Sequence, residues 1–253
     1  MFRQHGHLRT YAHNLRIASF LSFVAGSVNS IGFLAVAQLT TNVTGHFAYF
    51  VEEVFQGDVY QSAIFFLFIM SFFVGSFISN VLVEWMEKRN EKRLFVYPVI
   101  AESLILLGMA IFGDGLTKWK PNAVAIILLF AMGLQNSLVT RISNSVVRTT
   151  HLTGLFTDLG IEISQLIFYK QPEQRTRLFG SIRLRFQIII FFLIGGLSGA
   201  FLFGHFKLLG LFLTVIVLGI GLIYDVLTIK MFFWAKRKLT STGVIKEQRV
   251  KIK

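Results

Sequence analysis

Gly26-Ser27-Val28-Asn29-Ser30, followed about ten residues later by Thr40-Thr41-Asn42-Val43-Thr44-Gly45, has a counterpart in the second half of the chain. There the residues read Gly133-Leu134-Gln135-Asn136-Ser137 and then Thr149-Thr150-His151-Leu152-Thr153-Gly154. The Gly/Asn-Ser stretches lie 107 residues apart and the Thr-Thr-x-x-Thr-Gly stretches 109, so a two-residue gap aligns both. Phe72-Phe73-Val74-Gly75-Ser76 resembles Phe192-Leu193-Ile194-Gly195-Gly196 in the same way, at an offset enlarged by a longer basic loop around 170–187. Four fixed letters in six positions are not expected between arbitrary segments, so the chain reads as two related halves, about 17–113 and 122–230.

The surroundings of these motifs are strongly apolar. Of 253 residues, 54% are hydrophobic and 15% charged, against about 25% charged in soluble domains. That excludes a soluble globular protein, a disordered chain and a collagen-like fibre. Six stretches are long and apolar enough to span a bilayer: 17–37, 61–83, 94–113, 122–140, 188–205 and 208–230. Two shorter segments, 44–56 and 153–168, carry Glu52 and Glu53, and Asp158 and Glu162.

The basic residues choose between six and eight crossings. With six crossings and both termini inside, the inner side holds three Lys or Arg before the first span, four in 88–93, five in 170–185 and eight in 230–253. Those are twenty of the 25, the excess that cytoplasmic loops carry. Eight crossings would move the 84–93 loop outside and weaken the asymmetry. The net charge of +12 is thereby explained by orientation and by anionic lipid, and nucleic acid is not expected as a partner. The polar N-terminal stretch shows no cleavable signal peptide. The fold expected is all-α: one polytopic membrane domain over residues 1–253, with a basic cytoplasmic tail at 231–253. Each half contributes three crossings, and two sequential copies of an odd-span unit insert in opposite orientations. The expectation is therefore a 3+3 inverted-topology repeat, with broken, re-entrant or interfacial segments after the first and fourth spans.

Thr and Asn cap helices and Gly lets the backbone open. A helix starting at membrane depth aims free N–H groups and a positive dipole end at the break. Paired interruptions in corresponding halves point to a transporter's binding site. A polar cavity between the halves is thus expected from Asn29, Thr40, Thr41, Asn42, Thr44 and Gly45, with Asn136, Thr149, Thr150, His151, Thr153 and Gly154. The competing explanation is close helix packing, which is the preferred account of the glycines alone. Among ionisable residues, Glu102 lies inside the third span, where a coupling role and a plain ion pair are both open. Asp158 and Glu162 share one helix face and are expected to neutralise Arg141 or Arg148. Asp225 is expected at the interface. His46 and His151 flank the motifs at non-equivalent positions, so no metal site is expected. The absence of cysteine excludes disulfides and thiol chemistry. No cofactor is called for, and no catalytic constellation or phosphate loop is present, so an enzyme is not expected.

In Thr41-Asn42-Val43-Thr44-Gly45, in Gly133-Leu134-Gln135-Asn136-Ser137 and in Thr149-Thr150-His151-Leu152-Thr153-Gly154, the sequence resembles the YoaK-like family of bacterial inner-membrane proteins, a group of unknown function. The resemblance covers residues 17–230 and implies a small six-span protein of the bacterial cytoplasmic membrane. It supplies no substrate. Asn29 stands where that family often has Asp, and His46 where Asn commonly follows Thr-Gly; if that Asp couples protons in relatives, Asn29 speaks against proton coupling at this position. The function expected is a secondary transporter or permease for a small solute, with the helix N-termini and Arg141 and Arg148 favouring an anion. The alternative is a membrane scaffold or regulator acting through its basic inner face. The bilayer is the expected partner, and a homo-oligomer is compatible with it.

Overall fold

The computed structural model describes residues 11–89, 96–143 and 145–224, and every regular element among them is helical. In order they are α1 (Tyr11–Val36), α2 (Thr44–Gln56), α3 (Val59–Lys88), α4 (Val96–Trp119), α5 (Pro121–Ser143), α6 (Leu152–Phe168) and α7 (Pro172–Phe206). A 3₁₀ turn, Lys207–Leu211, leads into α8, residues 212–224. Five helical stretches among the described residues are long and apolar enough to cross a membrane, and the last of them, Pro172–Tyr224, is 53 residues long. Large apolar side chains face outward along them, including Phe66, Phe73, Phe77, Phe112, Leu197 and Phe201. A water-facing surface does not carry such a load, whereas a lipid-facing one does. The protein is a multi-pass membrane protein.

Two seams hold the bundle. Along α1 and α7, Tyr11 donates to the Gly180 carbonyl, Gly26 lies against Phe192, and Gly199 against Ser27, so these helices run in the same direction. Along α3 and α5, Ser71 donates to the Ile126 carbonyl, Ser76 to that of Gly133, and Arg141 reaches Glu84, again in parallel. Lipid gives helices no hydrophobic reason to associate, so small residues that let backbones touch carry the packing. A methyl group on Gly26 would collide with the Phe192 carbonyl oxygen, and one on Gly133 with that of Phe72. The reciprocal positions behave alike: Gly195 meets Phe23 and Gly75 meets Phe130. These four glycines are contact points, as their small-residue character implied.

The expected long basic loop at 170–187 is helix instead. Pro172 occupies the first turn of α7, where its missing N–H is harmless, and Glu173 complements the dipole there. The segment is charged because it prolongs α7 beyond its apolar part. The expected last span, 208–230, runs past the described residues, which end at Tyr224. Its described part turns back on α7. Leu208 N–H is held by Asp114 Oδ1 at 3.0 Å and Gly210 lies near Ile31, while Tyr224 accepts from Arg16 Nη1 at 2.6 Å. Thus α8 returns along α1. The cytoplasmic tail at 231–253 and Asp225 lie outside the described residues.

Candidate functional site

Helices α1 and α5 end alike. Each stops at a non-glycine residue in the left-handed region, Ala37 (φ 54°) and Ser145 (φ 63°). Such residues usually tolerate this conformation poorly. Here they turn the chain back along the helix it has just left. On the return, Thr41 Oγ1 donates to Asn29 Oδ1 at 2.9 Å, and Thr150 Oγ1 to Asn136 Oδ1 at 2.8 Å. From Val36 back to Asn29 is seven residues of helix, roughly 10 Å of rise. The short helices α2 and α6 then start after the chain has come back about two turns along α1 and α5. In the first return, Asn42 Oδ1 accepts the Gly45 N–H at 3.0 Å and caps α2. His151 holds the matching place before α6, its ring against Gly154.

Both motifs line one cavity of about 600 Å³. Asn29, Thr41, Asn42 and Thr44 from one half meet Thr150, His151 and Thr153 from the other, together with Val43 and Leu152. Phe72 and Phe192, equivalent in the two halves, supply its apolar wall. No carboxylate, Lys or Arg is among the lining residues. Hydroxyls, amides and two helix N-termini therefore set its chemistry, which is rich in hydrogen-bond donors and carries no side-chain charge of Lys, Arg, Asp or Glu.

The other expected residues fall elsewhere. Thr40 and Thr149 are buried in packing. Thr40 Oγ1 donates to the Val28 carbonyl at 3.2 Å, and Thr149 Oγ1 accepts from Gln135 Nε2 at 3.4 Å. Gly45 and Gly154 sit inside the first turns of α2 and α6. Asn136 holds Thr150 but faces a shallow groove beside Ser76, Asn80 and Arg141. Glu102 is fully buried in α4, and among the described residues neither of its carboxylate oxygens has a hydrogen-bond partner and it lines none of the cavities described. His46 is buried too, its Nε2 donating to the Leu39 carbonyl at 2.7 Å, its ring against Phe65 and Phe68.

The expected ion pairs are corrected. Asp158 and Glu162 do share a face of α6, but their partner is Arg185 on α7. Its Nη2 lies 3.1 Å from Asp158 Oδ2 and its Nη1 2.6 Å from Glu162 Oε1. Arg141 is taken by Glu84 and Glu87 of α3, at 2.6 and 3.4 Å. Because α6 docks on α7 and α5 on α3, each arginine meets the carboxylates across its own seam. Arg148 is exposed and makes no ion pair among the described residues. It opens onto a second cavity of about 490 Å³, lined also by His151, Asp158, Ser181 and Arg185. Sequence reasoning missed Arg185, Gln135, Phe72 and Phe192. The last two stood inside the repeated Phe/Gly stretch, and that recurrence was the signal for them.

A model of a family described as protein of unknown function (DUF1275) matches residues 17–224. A curated relative, a UPF0700 transmembrane protein, YoaK, of Bacillus subtilis (strain 168), is 24% identical over 190 residues, covering 74% of this chain and 82% of its own. No solved structure matches.

Proposed function

Since the chain belongs to the DUF1275 family of membrane proteins of unknown function, we propose a role for it as a secondary transporter of a small, anion-like solute. One observation carries this reading: the two Thr-Thr-x-x-Thr-Gly motifs, 109 residues apart, line the same cavity and each opens a helix toward it. A polar break at membrane depth is tolerated only against protein or a water-filled cavity, and here there is room for a solute.

The transporter reading includes six crossings arranged as two inverted three-span units. Pro172–Tyr224 is divided by the turn at Lys207–Leu211. Its α8 leg runs back from Ile31 to Arg16, which supports a separate sixth crossing. The pairing of Gly26 with Phe192 and of Gly133 with Phe72 supports exchange of equivalent elements between halves. The excess of basic residues on one side supports cytoplasmic termini in a bacterial inner membrane as part of this reading. Transport in this reading is not enzymatic and needs no cofactor; Asn29, Thr41, Thr44, Thr150 and Thr153 would orient the solute.

The test is counterflow in proteoliposomes with labelled small carboxylates and phosphates. Thr44→Val and Thr153→Val should abolish flux while leaving gel-filtration behaviour and melting temperature near wild type. If no solute moves, or if both variants transport normally, this reading is wrong. The scaffold alternative predicts indifference to those changes and sensitivity to charge removal in 170–187 or 236–253.

A further inference from the structure

The cavity beside the central one has its own chemistry. It occupies about 490 Å³ between the return after α5, the start of α6, and α7. His151 is the residue common to its lining and that of the central cavity. Its charged walls are Arg148, Asp158 and Arg185, with Ser145 and Ser181 adding hydroxyls. Arg185 is committed: it holds Asp158 and, from behind, Glu162, and it donates to Ser181. One guanidinium shared by two carboxylates offsets half of their charge and leaves one negative charge on the cluster. Arg148 makes no ion pair among the described residues, so its guanidinium balances that remaining charge and is the donor fork the chamber presents to an oxyanion. The equivalent corner of the first half does not repeat this. Leu39 stands for Arg148, Tyr49 for Asp158 and Phe65 for Arg185, and Tyr49 stacks on Phe65 at 5.1 Å. A charged chamber built in one half only is no by-product of the duplicated frame.

We propose that this chamber binds a phosphate-type oxyanion, with Arg148 as its ligand and the Ser145 and Ser181 hydroxyls beside it. A guanidinium fork matches the oxygens of phosphate in pairs. The oxyanion belongs either to a soluble molecule or to an anionic lipid headgroup. The site stands whether or not the central cavity moves a solute, because its test reads binding and not flux.

The experiment is thermal unfolding of the full chain in nanodiscs. One arm uses phosphatidylcholine discs with inorganic phosphate against chloride of equal ionic strength; the other uses phosphatidylglycerol discs without phosphate. A ligand bound only by the folded state raises the melting temperature. Phosphate should stabilise the wild type, Arg148→Gln should weaken its apparent affinity by about tenfold or more, and Arg148→Lys should keep part of it. Stabilisation confined to the phosphatidylglycerol arm, and lost in Arg148→Gln, assigns the oxyanion to a headgroup. No stabilisation in either arm, or stabilisation that survives Arg148→Gln, overturns the proposal. Arg148 is exposed, so its replacement leaves the core intact. Phosphate stabilisation that is lost in Thr153→Val but kept in Arg148→Gln belongs to the central cavity and likewise overturns the assignment to Arg148.

Discussion

The corner where α2 meets α3 and the corner where α6 meets α7 descend from the same place in the repeat, yet they are built from opposite chemistry. In the first, His46, Tyr49, Phe65 and Phe68 form a cluster of rings with centroids 5.1 to 6.2 Å apart. In the second, Leu155, Asp158, Arg185 and Ile188 hold the equivalent positions, and an ion pair stands where the Tyr49–Phe65 stack does. The glycine seams and the Thr–Asn bonds, by contrast, are the same in both halves. The frame tolerates no difference because backbones touch there. The corners were free to diverge because side chains fill them.

The largest effect should come from breaking what the halves share. Gly26→Ala and Gly133→Ala each drive a methyl group into a backbone carbonyl and should destabilise by about 3 kcal/mol or more, read as melting temperature in detergent. Gly108→Ala and Gly115→Ala face open space and should be neutral or slightly stabilising. Equal losses at all four sites would show that the seam is not what makes Gly26 and Gly133 necessary.

Next comes the point where the halves differ. Arg185→Met leaves Asp158 and the largely buried Glu162 without their partner and should destabilise by about 2 kcal/mol. Adding Asp158→Leu and Glu162→Leu should recover most of that loss, since no carboxylate is then left without its partner.

A smaller effect tests the shared polar bonds. Thr41→Val and Thr150→Val each remove one hydrogen bond to an Asn, about 1 kcal/mol apiece. The two losses should match if the returns are equivalent in energy as well as geometry. Smallest is Arg141→Gln. Its pairs with Glu84 and Glu87 are half exposed and should change stability by about 0.5 kcal/mol, vanishing at high salt.

Much of this architecture was legible in the residues. The apolar stretches located the helices because lipid demands length and hydrophobicity at once, and Gly26 and Gly133 announced contact by their size. The offset of 107 and 109 residues foretold that Asn29 and Asn136, and Thr41 and Thr150, would play matching parts. Three things were not legible. Thr40 and Thr41 are identical letters, but only the return after Ala37 decides that one is packed while the other faces the cavity. The partner of Asp158 depends on which helix lies beside α6, and helical spacing within α6 carries no such information. The charge of 170–187 suggested a loop, because a helix that outruns the apolar layer looks like one in composition.

The two seams match in their atoms and differ in when they can close. Ser76 and Gly133 are separated by 57 residues, Tyr11 and Gly180 by 169. At about 5–20 residues synthesised per second, Gly133 follows Ser76 by about three to eleven seconds, whereas Gly180 follows Tyr11 by about eight to thirty-four seconds. Through that interval the glycine face of α1 has no backbone against it.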